Sequence, residues 1–254
     1  MKSIYNKLIV SGCSFTHEPM NEWYPFSWAS VFAEDTGMEV VNLAVPGAGN
    51  DHISRSLMVY LEKNKPDPAN TLIIAMWSGV GRFDWITDSS LSCFKDFYPF
   101  QYRYDDHNEL VLAGNWWNLK SHHALNQTLI EYAKYQSDYS FSLTSWLAMN
   151  NLSNYLLQNR YPFYFTSFVD YKRNNIKGDG LTVPYYDILD TIGLSLDKKN
   201  WMKLEGPDHY GDWALKNNAV DPSDGFHPKY PEATEGWVRQ ILIPYFVTQG
   251  IIKQ

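Results

Sequence analysis

Three polar side chains near the two ends of the chain are of the kinds that make a nucleophile, its base and the group that orients the base. Ser14 stands in Gly12-Cys13-Ser14-Phe15-Thr16, directly after the apolar run Leu8-Ile9-Val10. A strand that ends on glycine can turn tightly and present a hydroxyl beyond its carboxyl end. Asp224 and His227 lie three residues apart in Asp224-Gly225-Phe226-His227-Pro228. That separation lets a carboxylate accept from one ring nitrogen while the other nitrogen faces a hydroxyl. If the fold joins the two ends, Ser14, His227 and Asp224 supply acyl-transfer chemistry. Asp224 and His227 also read as a pair of metal ligands. No further His, Asp or Glu cluster stands at a recognisable metal spacing, so neither a metal nor a cofactor is expected.

A third stretch, Pro46-Gly47-Ala48-Gly49-Asn50, follows an apolar segment. A glycine there lets backbone approach a reacting carbonyl and donate its N–H; the plainer reading is a strand-to-helix turn. A dinucleotide site is disfavoured, because Gly-x-Gly-x-x-Gly is absent. Cys13 invites a thiol-nucleophile reading, but neighbours on an extended turn point apart, so only one of Cys13 and Ser14 can face His227. His17 is a surface or cleft residue by position, and His122, His123 and His209 read as surface or loop positions.

The elements that must hold these residues follow from period and turn chemistry. Lys7 to Val10 reads as a buried strand ended by Ser11-Gly12. Trp28 to Glu34 has helical spacing and Gly37 stops it. Met38 to Val45 reads as a second strand. Asn50 or Asp51 is a good N-cap for a helix from about His52 to Lys63. Thr71 to Met76 is a third, wholly apolar strand. Alternation of strand and helix over the first 76 residues predicts a parallel sheet with right-handed crossovers. Residues 84–124 are aromatic and polar without a clean period and read as an insertion near the cleft, in part a lid. Asn126 to about Asn159 reads as a long helix in which a break near Ser140 is open. Tyr161 to Val169 is a fourth strand, Pro184 to Leu196 holds a short helix, Trp201 to Tyr210 is ambiguous, and Pro231 to Phe246 is a final helix. No linker or repeat interrupts residues 1–254, so one domain is expected.

The formal net charge is −7, without a basic block. That argues against nucleic acid or an anionic membrane as partner. Two cysteines make no disulfide framework. The apolar run near Met1 is too short for a signal peptide, and no stretch approaches the roughly 20 residues that span a bilayer. A cytoplasmic protein is expected. Aromatic residues at 16% suit bulky core packing, or a cleft lined with rings.

Together the three stretches resemble those of the SGNH, or GDSL-type, hydrolase superfamily. In that family the serine lies in a Gly-Asp-Ser-like block after the first strand; Gly12 to Thr16 is similar, with Cys13 in the aspartate's place. Asn42 and Gly47 match the second block, and Asp224, His227 and Pro228 match the fifth. The resemblance spans essentially the whole chain and implies an α/β fold: a three-layer α/β/α sandwich around a parallel, flavodoxin-like sheet. It implies Ser14 as nucleophile, His227 as base and Asp224 as its orienter. The N–H groups of Ser14 and Gly47 would then form an oxyanion hole. The implied activity is a serine ester hydrolase acting on small acyl groups, acetyl esters of carbohydrates among them. The third block departs: where the family has Gly-x-Asn-Asp, this chain has Trp77-Ser78-Gly79-Val80-Gly81-Arg82. Ser78 or Arg82 can stand in as oxyanion donor, Arg82 by its five N–H groups; the plainer reading pairs Arg82 with Asp84. The missing asparagine also leaves room for a glycan- or protein-binding module that kept the triad and lost turnover.

Overall fold

The computed structural model describes residues 1–18, 26–79, 82–88, 101–103, 109–114, 138–168, 200–204, 208–223, 225 and 227–253. In chain order the strands are β1 (Lys2–Ser3), β2 (Lys7–Ser11), β3 (Glu39–Asn42), β4 (Thr71–Trp77), β5 (Phe83–Asp88), β6 (Gln101–Arg103), β7 (Glu109–Gly114), β8 (Phe163–Ser167) and β9 (Ile252–Lys253). The helices are α1 (Trp28–Thr36), α2 (Asn50–Asn64), α3 (Asp138–Gln158), α4 (Tyr210–Lys216), α5 (Glu232–Trp237) and α6 (Ile243–Thr248).

Four strands pair in the order β3-β2-β4-β8, all parallel. The sequence explains why β2 and β4 are central. Leu8, Ile9 and Val10 are wholly buried, as is every residue of β4. A strand covered on both faces needs a continuous apolar run rather than alternation. Residues 200–202 extend the sheet beyond β8: Phe165 N donates to Asn200 O at 2.8 Å and Met202 N to Phe165 O at 2.8 Å. The ambiguous segment at Trp201 is thus a short parallel edge.

Strand order also assigns the helices to faces. The chain steps from β2 through α1 to β3 on one side, then from β3 through α2 back past β2 to β4. Two right-handed crossovers in opposite directions place α1 and α2 on opposite faces. On one face Trp28 of α1 meets Trp237 of α5 edge-on at 5.6 Å, and Phe32 meets Phe246 of α6 at 5.3 Å. On the other, α2 lies against α3, and Tyr155 Oη donates to Glu62 Oε1 at 2.9 Å. The expected three layers result. Much of the aromatic content goes into this core: Trp28, Trp77, Trp237, Tyr210, Phe15, Phe32, Phe165, Phe168 and Phe246 are almost fully buried.

Several expected boundaries move. The second strand is shorter than expected, Glu39–Asn42, although Leu43 N and Val45 N carry on its register by donating to Val10 O (2.8 Å) and Gly12 O (3.1 Å). Of the long helix expected from Asn126, the described part is α3, Asp138–Gln158, in which the Ser140 carbonyl accepts from Thr144 Oγ1 at 3.0 Å; residues 126–137 lie outside the described residues. The last helix extends to Thr248 through a π turn, Val238–Leu242, with Ile243 N bonded to Val238 O just before Pro244. Proline has no N–H for the next rung, and a widened turn absorbs that loss. The stretch read as an aperiodic insertion contains an antiparallel sheet, β5-β7-β6. The helix expected at 184–196 lies outside the described residues. Gly37 does close α1, at φ 73° with its N–H on Ala33 O and Glu34 O. Among the described residues no helix is long and apolar enough to cross a membrane.

Gly236 shows how tightly the helical layer is packed. A Cβ there would lie 2.3 Å from Trp213 Cη2. Gly236→Ala is expected to destabilise the fold by about 1–3 kcal/mol. Urea denaturation reads this as a lower midpoint at unchanged slope.

Candidate functional site

In an open parallel sheet, ligands bind beyond the carboxyl ends of the strands, where strand order reverses. Here that point lies between β2 and β4, and Ser14 stands three residues past β2. Thr16 N and His17 N both donate to Cys13 O, at 2.9 and 3.0 Å, so Ser14 opens a single helical turn. Gly12 is needed for it: an added Cβ would sit 2.3 Å from Thr16 Oγ1 and 3.2 Å from Met76 O. Cys13 points into the core and is fully buried, whereas Ser14 is half-buried. The two neighbours thus face opposite ways, and it is the serine that meets the histidine.

His227 arrives from the other end of the chain on a closed loop. Val220 and Pro228 form an antiparallel bridge, and Asp221 N donates to His227 O at 2.7 Å. Gly225 N donates to Asp221 O at 2.7 Å, with Gly225 at φ 68°, a conformation that favours glycine. The loop brings His227 Nε2 to 2.9 Å from Ser14 Oγ, across 213 residues of sequence. Phe15 braces the ring: their centroids are 5.3 Å apart, and Phe15 in turn packs on Phe168 at 4.6 Å. Asp224 lies outside the described residues.

The glycine loop supplies a third element. Ala48 N donates to Val45 O at 3.1 Å, and Gly47 sits at φ 78°. Proline followed by a positive-φ glycine is the pattern of a type II turn. Among the described residues, neither the Ser14 N–H nor the Gly47 N–H donates to an acceptor within the chain. Backbone amides are seldom left so; the Ser14 amide belongs to the turn whose hydroxyl meets His227, and Gly47 stands two residues past Val45, whose amide is bonded to Gly12 O at 3.1 Å.

No protein-family model and no curated protein sequence matches this chain. Solved structures do. TesA superposes with a TM-score of 0.51 at 10% identity, over 94% of this chain and 99% of its own. The psychrotrophic esterase EstA from Pseudoalteromonas sp. gives 0.48 at 10% identity over 95% and 99%. A lipolytic G-D-S-L family member from Veillonella parvula gives 0.48 at 9% identity over 93% and 98%. The fold is SGNH hydrolase-like.

Within that SGNH-like fold the departing third block has its own architecture. Asn50 clamps the backbone of Ser78 from both sides: its Nδ2 donates to Ser78 O at 3.1 Å and its Oδ1 accepts from Ser78 N at 2.8 Å. Ser78 is fully buried, and its Oγ accepts from Arg82 Nη1 at 2.9 Å. Arg82 is half-buried and makes no ion pair with Asp84. Asp84 accepts instead from Gly49 N at 3.0 Å and His52 N at 2.6 Å. This changes the expected cap: Gly49, with no side chain to offer, is the N-cap residue of α2, and neither Asn50 nor Asp51 fills that place. A carboxylate from β5 does the capping.

Asn42, matched to the second block by sequence, ties the serine turn to the helical layer. Its Nδ2 donates to Thr16 O at 2.7 Å and to Ser27 Oγ at 3.2 Å, and its Oδ1 accepts from Ala44 N at 3.0 Å. Glu18, which the sequence did not single out, completes this knot. It accepts from Ser27 N at 2.6 Å, Ser27 Oγ, Ser30 Oγ and Asn42 Nδ2. A glutamate ahead of an N-cap serine was the available signal.

The surroundings shift several titrations. Burial holds the His17 imidazole below its usual value, against Glu18, which raises it. Burial and nearby Arg55 push His52 down to about 3. Burial pushes the Tyr230 phenol up to about 12, with Cys13 and Glu18 acting the same way. His209 is not a surface residue: it is buried at the start of α4, with Nδ1 3.1 Å from Ser167 O. His122 and His123 lie outside the described residues. Among the described residues no three His, Cys, Asp or Glu side chains gather to hold a metal.

Proposed function

We propose that the chain is a serine ester hydrolase that works through an acyl-enzyme. The observation that carries this reading is the 2.9 Å approach of Ser14 Oγ to His227 Nε2. In the first half-reaction Ser14 Oγ attacks the ester carbonyl carbon and its proton passes to His227 Nε2. The carbonyl oxygen becomes an oxyanion and takes hydrogen bonds from the Ser14 and Gly47 N–H groups. The intermediate collapses with cleavage of the acyl carbon–oxygen bond, and His227 returns the proton to the departing alcohol. Water then attacks the acyl-serine by the same route and frees the acid. Asp224 is assigned by its three-residue offset from His227 as the carboxylate that fixes the tautomer and steadies the imidazolium. Arg82, anchored through Ser78 and Asn50, is assigned as a further oxyanion donor in place of the family's third-block asparagine. Small acyl esters, acetyl groups on carbohydrates among them, are the substrate class we assign.

The missing asparagine favours a second reading, a glycan- or protein-binding module with a vestigial triad. One experiment separates the two. Folded protein is treated with a fluorophosphonate probe and the labelled peptide mapped, alongside a p-nitrophenyl acetate assay. The hydrolase reading expects the adduct on Ser14 together with turnover that chelators do not affect. A folded sample with no adduct and no turnover, yet binding a glycan, supports the module and ends the hydrolase reading.

A further inference from the structure

The head of α2 is held by a side chain from another element. Asp84, second residue of β5, takes the Gly49 and His52 amides on its two carboxylate oxygens. These belong to the first-turn amides that a helix cannot satisfy itself, and a negative charge there also meets the positive end of the helix dipole. The fit is close: a Cβ on Gly49 would lie 2.9 Å from Asp84 Oδ2 and 3.2 Å from Arg82 O. Gly47 is two residues upstream. On its other side, Val45 N donates to Gly12 O at 3.1 Å, in the serine turn itself. The Gly47 amide therefore hangs between two fixed points, one on the nucleophile's turn and one on Asp84.

We propose that Asp84 is a positioning residue that sets the aim of the Gly47 N–H at the reacting carbonyl, and that protonating it slackens that aim. The inference rests on the ester-hydrolase reading above. Burial pushes the Asp84 carboxyl up to about 6, although the Gly49 and His52 amides hold it down. Of the charged groups around it on α2, Arg55 lowers its pKa and Asp51 raises it. Burial and Arg55 keep the His52 imidazole neutral, so it adds no charge beside the carboxylate. On its own segment Arg82 is bonded to Ser78 Oγ. A protonated carboxyl turns an O–H toward one of the two amides and loses that hydrogen bond.

The test uses Asp84→Asn, which keeps the shape but sets an NH₂ against one amide. For wild type and variant, kcat and KM on p-nitrophenyl acetate and the fluorophosphonate labelling rate at Ser14 are measured from pH 5 to 8.5. Amide exchange at Gly49 and His52 in the wild type is followed over the same range. We expect wild-type kcat to show an inflection near pH 6, falling on the acid side. Protection at the two amides falls in step. The variant should have kcat about 10- to 100-fold lower at near-constant KM and lose the share of that inflection that Asp84 carries. An active wild type whose two amides exchange alike at pH 5 and 8, after correction for intrinsic rates, overturns the proposal. So does a folded variant with wild-type kcat and pH profile. If the variant does not fold, the wild-type exchange and inflection decide alone. A wild type neither labelled nor active overturns the ester-hydrolase reading itself, a result distinct from both.

Discussion

Ser14→Ala is expected to lower kcat for p-nitrophenyl acetate by about 10⁶-fold, the scale on which removing a triad serine acts elsewhere. The argument is local. Ser14 Oγ is the atom 2.9 Å from His227 Nε2, and in the proposed mechanism it is the atom that carries the acyl group. KM should change little, since the hydroxyl adds little to ground-state binding. The fold should survive, because the half-buried side chain loses one hydrogen bond, worth about 1 kcal/mol. Fluorophosphonate labelling should vanish with the activity. Cys13→Ala is the matching control: Cys13 is fully buried, so labelling should stay on Ser14. Equal rates for wild type and Ser14→Ala would remove the serine from the chemistry.

The next largest effect is expected at Arg82. Arg82→Ala should cost about 10²–10³ in kcat at near-constant KM, the usual penalty for losing one oxyanion donor. The guanidinium spends one N–H on Ser78 Oγ and has four others to offer. Ser78 is itself clamped by Asn50, so the guanidinium is anchored without need of a substrate. Arg82→Lys should recover only part of the rate, because an ammonium cannot keep the Ser78 bond and the same forked reach together. A loss below about threefold for Arg82→Ala would leave the third-block position without a donor. A rise in KM at constant kcat would mark Arg82 as a substrate-binding group instead.

Local signals in the sequence were reliable where the physics is local. The apolar runs at Leu8 and Leu72 read as buried strands, and Gly37 ends α1 as its type requires. Pro46-Gly47 makes a positive-φ turn for the same reason. Errors gathered where a distant group completes a local feature. The N-cap of α2 was sought at Asn50 or Asp51, because a cap is normally the helix's own neighbour. Asp84 instead reaches in from β5, which frees Asn50 to clamp Ser78. His209, read as a surface or loop residue, does lie in the turn before α4, but that turn is buried against Ser167. β7 runs apolar from Leu110 to Ala113 without alternating and β6 is only three residues long, so neither announces itself by a period of two.

By itself, the sequence determined the residue kinds at the site, their order, and the parallel α/β frame that carries them. Periodicity and turn chemistry act over a few residues and leave a readable trace. Only the tertiary structure decided that Ser14 and His227 meet, since a separation of 213 positions leaves that approach open until the His227 loop packs on Phe15. It also decided that Cys13 turns inward while Ser14 faces the imidazole. The loop around Gly47 is likewise held on both sides by distant groups, Val45 N by Gly12 O and Gly49 N by Asp84. Such contacts depend on how whole elements pack, and packing is set by the sum of the core rather than by any one stretch.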